Sequence, residues 1–122
     1  MFDYQVQPVF STPIVSVDIG KVDPMTLAWI KNLRYEHKAV GQTDDEEHLP
    51  FKERGFNIIN AKQLRLLRSN IMKAVAWYSY ELLDVTTDVE FVFTTSWINR
   101  LEKDENIDRH PHTNSVISGI YY

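Results

Sequence analysis

Two histidines separated by a single residue, His110 and His112, are the residues of this sequence best suited to chemistry. Side chains alternate between the two sides of an extended chain, so both imidazoles would project from the same side and could reach one ion. Imidazole binds iron, zinc, copper and nickel well. The pair is therefore a candidate metal site, although surface or hydrogen-bonding histidines can have the same spacing. Two histidines do not complete an open catalytic metal site, so a third ligand has to come from elsewhere.

Two predicted strands would position this pair. Alternating β-branched and aromatic residues favour strands over 89–101 and 115–122, which we expect to pair antiparallel across the charged turn 102–108. If the alternation continues from the histidines to the last residue, their side of the chain also carries Asn114, Val116, Ser118, Ile120 and Tyr122. Asn99 lies between the large apolar residues Trp97 and Leu101, so its amide needs hydrogen-bond partners or a ligand.

Helices are predicted in the first two thirds of the sequence. Asp23 and Pro24 have the residue types of an N-cap and a first helical position, and the helix that follows is expected to end at Gly41, with His37 at the edge of its apolar stripe. A second, longer helix is expected over 61–83, where apolar residues recur at helical spacing after a capping box formed by Asn60 and Gln63. An edge strand over 9–19 and an acidic loop over 42–55 complete this part of the chain.

The composition is that of an ordinary globular domain. The 122 residues are 43% hydrophobic and 12% aromatic, enough for one domain with a real core. A net charge of -4 argues against nucleic-acid binding as the main role of the protein. The absence of cysteine excludes disulfides and thiolate metal sites. Because neither a leader peptide nor a membrane-spanning run is evident, we expect a cytoplasmic protein without a membrane partner. Nucleic acid is not an expected partner either, and the substrate would be a small molecule or one that the sequence does not identify.

A family resemblance rests on two motifs in this carboxy-terminal stretch. They are Ser96-Trp97-Ile98-Asn99 and His110-x-His112-x-Asn114-Ser115-x-x-Ser118-Gly119-x-Tyr121-Tyr122. Together they resemble a family of 2-oxoglutarate and Fe(II)-dependent oxygenases that carry a Ser-Trp-x-Asn strand and a His-x-His-x-Asn-Ser-x-x-Ser-Gly-x-Tyr-Tyr strand. The resemblance covers residues 95–122, whereas the preceding helices match only in general plan.

The resemblance implies a fold, two cofactors and four site residues. The fold would be α+β, with helices packed on the first part of a double-stranded β-helix, the jelly roll also found in cupins. Fe(II) and 2-oxoglutarate would serve as cofactors of a dioxygenase of hydroxylase type. His110 would be the first iron ligand, and His112 would stand where related oxygenases have the carboxylate of their two-histidine, one-carboxylate set. Asn99 would hold the C1 carboxylate of 2-oxoglutarate, and Tyr122 would line the same cavity.

The family's remaining strands, with a distal histidine and a basic residue, have no counterpart before Tyr122. We therefore expect residues 1–122 to be a single domain that forms the amino-terminal part of a longer oxygenase domain and is inactive alone. Two alternatives stay open. One is a non-catalytic binding or structural module on the same fold. The other is a cupin-type metal protein, although Asn114 and Ser115 stand where a cupin has its glutamate.

Overall fold

The first helix, α1 (Pro24–Lys31), begins where the sequence predicts. The computed structural model of the protein describes residues 12–33, 35, 57–112 and 115–122, together with the backbone of 39–40. The Asp23 carboxylate accepts hydrogen bonds from the backbone N–H groups of Met25 and Thr26 at 2.9 and 3.0 Å. These are two of the donors that a helix amino terminus leaves unpaired, so the predicted N-cap is confirmed. The helix ends ten residues before the predicted stop.

The second helix is preceded by two short 3₁₀ turns, Ile58–Asn60 and Lys62–Leu64. The α-helical part, α2, spans Arg65–Trp77 and continues as a π-helical turn over Tyr78–Leu82. The predicted helix over 61–83 is therefore confirmed in position, but its predicted capping box is wrong. Asn60 belongs to the first 3₁₀ turn, and no side chain caps the amino terminus of α2.

The core lies where these helical elements meet segment 89–97. Ile58, Ile59 and Leu64 are buried, and all three come from the 3₁₀ turns. Half-buried residues of α1, α2 and the segments next to them surround these three side chains: Trp29, Ile30, Leu33, Ala61, Leu67, Ile71, Phe93 and Ile98. The Thr26 hydroxyl adds a hydrogen bond to the Gln63 carbonyl at 3.2 Å, which joins α1 to the second turn. The helices therefore pack around a turn rather than against a sheet.

Regular strand structure is confined, among the described residues, to one pair of two-residue strands. These are β1 (Ala39–Val40) and β2 (Ile98–Asn99), which pair antiparallel with Ala39 opposite Asn99. No jelly-roll sheet is formed in this part of the chain, and helix dominates its regular structure. The predicted α+β fold, with helices on the first part of a double-stranded β-helix, is therefore wrong. Residues 115–122 do not form the predicted second strand, and residues 12–19 do not form the predicted edge strand.

The predicted sheet is absent from segment 89–97 because of the hydrogen-bond partners of this segment. The Ser96 carbonyl accepts from the Ile58 N–H at 3.2 Å, and the Phe93 carbonyl accepts from the Asn57 side chain at 3.1 Å. β-Branched and aromatic residues favour an extended backbone, but a strand also needs a second extended chain beside it. Here a 3₁₀ turn occupies that place, so residues 93–96 are hydrogen-bonded to the turn and not to a second strand.

The first described segment, 12–22, lies along the helical part of the molecule. Its carbonyls accept hydrogen bonds from the Tyr78 hydroxyl at Pro13, 2.9 Å, and from the Asn70 side chain at Ile19, 3.2 Å. In the part of the chain that the structure describes, no helix combines the length and the apolar character needed to cross a membrane.

Candidate metal site

The two predicted metal ligands come together at their Nε2 atoms. The Nε2 atoms of His110 and His112 are 3.1 Å apart, and the two rings are stacked with their centroids 5.0 Å apart. Two imidazole nitrogens bound to one ion at about 2.1 Å would be about 3.0 Å apart at a right angle and about 3.4 Å apart at the tetrahedral angle. The observed separation lies between these values, so the distance between the two atoms suits one shared ion.

The outer nitrogen of each ring has its own hydrogen-bond partner. His110 Nδ1 lies 2.8 Å from the backbone carbonyl of Asp108, which can only accept, so this nitrogen carries the proton. His112 Nδ1 lies 3.0 Å from the Ser118 hydroxyl, which can accept or donate. Ligand histidines in metal sites are held in the same way, through the nitrogen that does not face the ion. The pair therefore has the orienting contacts of a metal site as well as the spacing.

Trp97 forms one wall of the site. Its ring centroid lies 5.5 Å from that of His112 in an edge-on arrangement and 6.4 Å from that of His110 in a tilted one. The tryptophan is half-buried, whereas both histidines are exposed. An aromatic wall limits the directions in which the two imidazoles can turn, so Trp97 helps to keep their Nε2 atoms together. The contact of Trp97 with the two histidines is a finding of the structure.

Ser96 anchors the segment that carries Trp97. Its hydroxyl accepts from the buried backbone N–H of Ile59 at 2.9 Å and donates to the Asn57 side-chain oxygen. Residue 97 is therefore tied, through its neighbour, to the most buried part of the molecule. Ser96 and Ser118 both belong to the motifs of the resemblance, but sequence reasoning assigned neither a role.

The predicted 2-oxoglutarate residues are not joined to the histidines. Asn99 is exposed and lies in β2, and Tyr122 is fully exposed. Among the described residues, no hydrogen bond or ring contact links either side chain to His110 or His112. Their assignment to 2-oxoglutarate therefore stays a prediction. Asn114 and His37 lie outside the described residues.

Two charged side chains that precede the histidine segment pair with each other. Arg100 forms an ion pair with Glu102 at 3.2 Å, between two exposed side chains, and its guanidinium lies 5.9 Å from the centroid of the Tyr35 ring. Burial raises the pKa of the Tyr35 hydroxyl above its usual value, with Arg100 acting weakly in the opposite direction. Glu102 also begins the turn that leads to the histidines, where Asp104 adopts a left-handed φ of 67°.

The described part of the chain holds no cluster of three or more histidine, cysteine or carboxylate side chains placed to share an ion. The donors present nevertheless fit the first-row metals that prefer imidazole, and a sparse ligand set leaves coordination positions open. No family model matches this chain, and neither a curated protein nor a solved structure shows detectable similarity to it.

Proposed function

We propose that the protein binds Fe(II) through the Nε2 atoms of His110 and His112 and belongs to the 2-oxoglutarate and Fe(II)-dependent oxygenases of hydroxylase type. The observation that supports metal binding most directly is the 3.1 Å separation of the two Nε2 atoms, with each Nδ1 turned away onto an oxygen. The oxygenase class and the choice of iron come from the two sequence motifs. The proposal rests on donor chemistry and motif.

The residues of this chain have a positioning role in the proposed site. His110 and His112 hold the ion, Asp108 and Ser118 orient the imidazoles, and Trp97 limits their rotation. The ion, together with 2-oxoglutarate, supplies the dioxygen chemistry when bound. Orientation matters because ligands that are already in place do not have to be ordered when the ion binds.

A plain metal-binding module is the second candidate, and one observation favours it. Among the described residues, neither Asn99 nor Tyr122 is joined to the histidine pair by a hydrogen bond or a ring contact. Such a module would bind the same ion and would not respond to 2-oxoglutarate. The two candidates share the metal site and differ in the second ligand.

Titration of the metal-free protein with Mn(II) or, without oxygen, with Fe(II) tests both candidates. Binding is followed by the loss of tryptophan fluorescence, because the Trp97 ring lies within 6.4 Å of both imidazole rings. We expect saturable binding of one ion that is abolished in His110→Ala and His112→Ala and tightened by 2-oxoglutarate. His37→Ala and His48→Ala serve as controls, since each removes an imidazole elsewhere in the sequence.

The outcomes are distinct. Metal affinity that is unchanged in both His110→Ala and His112→Ala would refute the site itself. Binding that depends on both histidines but is indifferent to 2-oxoglutarate would refute the oxygenase and leave the metal-binding module as the function.

A further inference from the structure

The Ser118 hydroxyl is the one side-chain group, among the described residues, that holds the outer nitrogen of a proposed ligand. It lies 3.0 Å from His112 Nδ1, whereas the corresponding partner of His110 is a backbone carbonyl. We propose that Ser118 is a positioning residue that selects the tautomer of His112 and thereby opens or closes the histidine pair to a metal ion. This inference rests on the proposed metal site and adds a residue to it.

The argument follows the protons on the two rings. His110 carries its proton on Nδ1, because the Asp108 carbonyl can only accept, so its Nε2 presents a lone pair. If the Ser118 hydroxyl donates to His112 Nδ1, the His112 proton is on Nε2 and can be donated to His110 Nε2 across the 3.1 Å gap. All hydrogen-bonding groups are then satisfied without a ligand. This is the closed state of the pair.

Rotation of the same hydroxyl permits the open state. When Ser118 accepts from His112 Nδ1–H, both Nε2 atoms present lone pairs to each other at 3.1 Å. Two lone pairs at this distance repel unless a cation lies between them, so an ion favours this state. A hydroxyl can serve both states because it is both donor and acceptor, which a carbonyl or a methyl group is not.

The position of Ser118 is set by a contact three residues further along the chain. The Tyr121 hydroxyl donates to the Gly20 carbonyl at 2.9 Å and accepts from the Val22 N–H at 3.1 Å. Segment 115–122 is thereby attached to segment 20–22, nearly 100 residues earlier in the sequence. The serine is therefore placed by the tertiary structure and does not depend on the histidines for its position.

The test compares Ser118→Ala with Ser118→Thr, which keeps a hydroxyl and has room for its methyl because Ser118 is exposed. Two controls are matched to it. Ser69→Ala makes the same chemical change on an exposed position of α2, and Gly119→Ala adds a methyl in the same segment, where nothing lies within 4 Å of the new atom. Zn(II) is the probe, because it is diamagnetic and binds imidazole.

We expect Ser118→Ala to weaken Zn(II) binding about tenfold to a hundredfold, the usual cost of losing a group that orients a ligand histidine. Ser118→Thr and both controls should stay within about threefold of the unmodified protein on that scale. Nitrogen NMR of the imidazoles should show His112 protonated at Nε2 in the metal-free protein and at Nδ1 with Zn(II). In Ser118→Ala the metal-free protein should show a mixture of both tautomers.

Different results overturn different statements. If the unmodified protein binds Zn(II) and Ser118→Ala binds it equally well, the role of Ser118 is refuted and the metal site stands. If the unmodified protein binds no Zn(II), the proposed metal site and the inference fail together. Circular dichroism of each variant shows whether a loss of Zn(II) affinity reflects unfolding. The proposal is supported if Ser118→Ala folds normally but binds Zn(II) more weakly, while Ser118→Thr keeps the affinity of the unmodified protein.

Discussion

Replacing Ser96 with alanine should destabilise the whole protein and weaken the metal site. The hydroxyl satisfies the Ile59 N–H, which belongs to a residue only 5% exposed, and it donates to the Asn57 side chain. An unsatisfied buried donor costs about 1–3 kcal/mol, and the loss of the second hydrogen bond adds roughly 0.5–1.5 kcal/mol. We therefore expect the free energy of unfolding to fall by about 1.5–4.5 kcal/mol, out of a total of about 5–15 kcal/mol for a domain.

Urea unfolding followed by far-ultraviolet circular dichroism measures this loss. With a slope of about 2 kcal/mol per molar urea, the midpoint should fall by roughly 1–2 M at an unchanged slope. Ser96→Thr is the matched control, because it keeps the hydroxyl and should lose much less. The same alanine variant should also bind metal more weakly, since Ser96 anchors the segment that holds Trp97 against the histidines.

The reasoning would be refuted if Ser96→Ala unfolded within about 0.3 M urea of the unmodified protein, which is well below the shift that even one unsatisfied donor implies. That result would mean that Ile59 finds another acceptor once the hydroxyl is removed. A normal stability combined with a lower metal affinity would separate the two roles that we assign to this residue.

Three further predictions concern the helical part of the molecule. Leu64→Ala, at a side chain 2% exposed, should lower the free energy of unfolding by about 2–5 kcal/mol in the same urea assay. Hydrogen bonds from Thr26 hold the pKa of Asp23 below its usual 3.8. The stability contributed by this carboxylate is therefore complete above pH 3.8 and is lost as the pH falls through the lower pKa of the folded state. Asp23→Asn should flatten the dependence of the urea midpoint on pH in that acidic range. Asp84 adopts a left-handed φ of 54° after the second helix. Asp84→Gly should therefore increase the free energy of unfolding by up to about 1 kcal/mol and raise the thermal midpoint. A lower midpoint would contradict the assigned backbone conformation.

Local signals predicted the helices well. Asp23 followed by Pro24 marked the beginning of α1, because an N-cap acts on backbone groups two and three residues away. The recurrence of apolar residues located the second helix for the same reason, since helical hydrogen bonds and side-chain stripes are both local. The capping box failed because its two residues belong to separate 3₁₀ turns, Asn60 to Ile58–Asn60 and Gln63 to Lys62–Leu64.

The sheet was not predictable in this way. The alternating residues of 89–101 favour an extended backbone but do not say which other segment would pair with it. A strand partner can come from any part of the chain. Here the partner of residues 93–96 is the turn that contains Asn57 and Ile58, more than thirty residues earlier. Nothing local distinguishes that turn from a strand, so the jelly-roll expectation was wrong.

The candidate metal site was likewise determined partly by the sequence and partly by the tertiary structure. The sequence by itself determined that His110 and His112 would be near neighbours of the residue types that metals prefer, because two positions apart is a fixed geometric relation in an extended chain. Only the tertiary structure decided that their Nε2 atoms converge to 3.1 Å, that Trp97 lies against both rings, and that Ser118 reaches His112. Those contacts depend on where distant segments pack, and packing is settled by burial and hydrogen-bond partners across the whole chain rather than by neighbours in sequence.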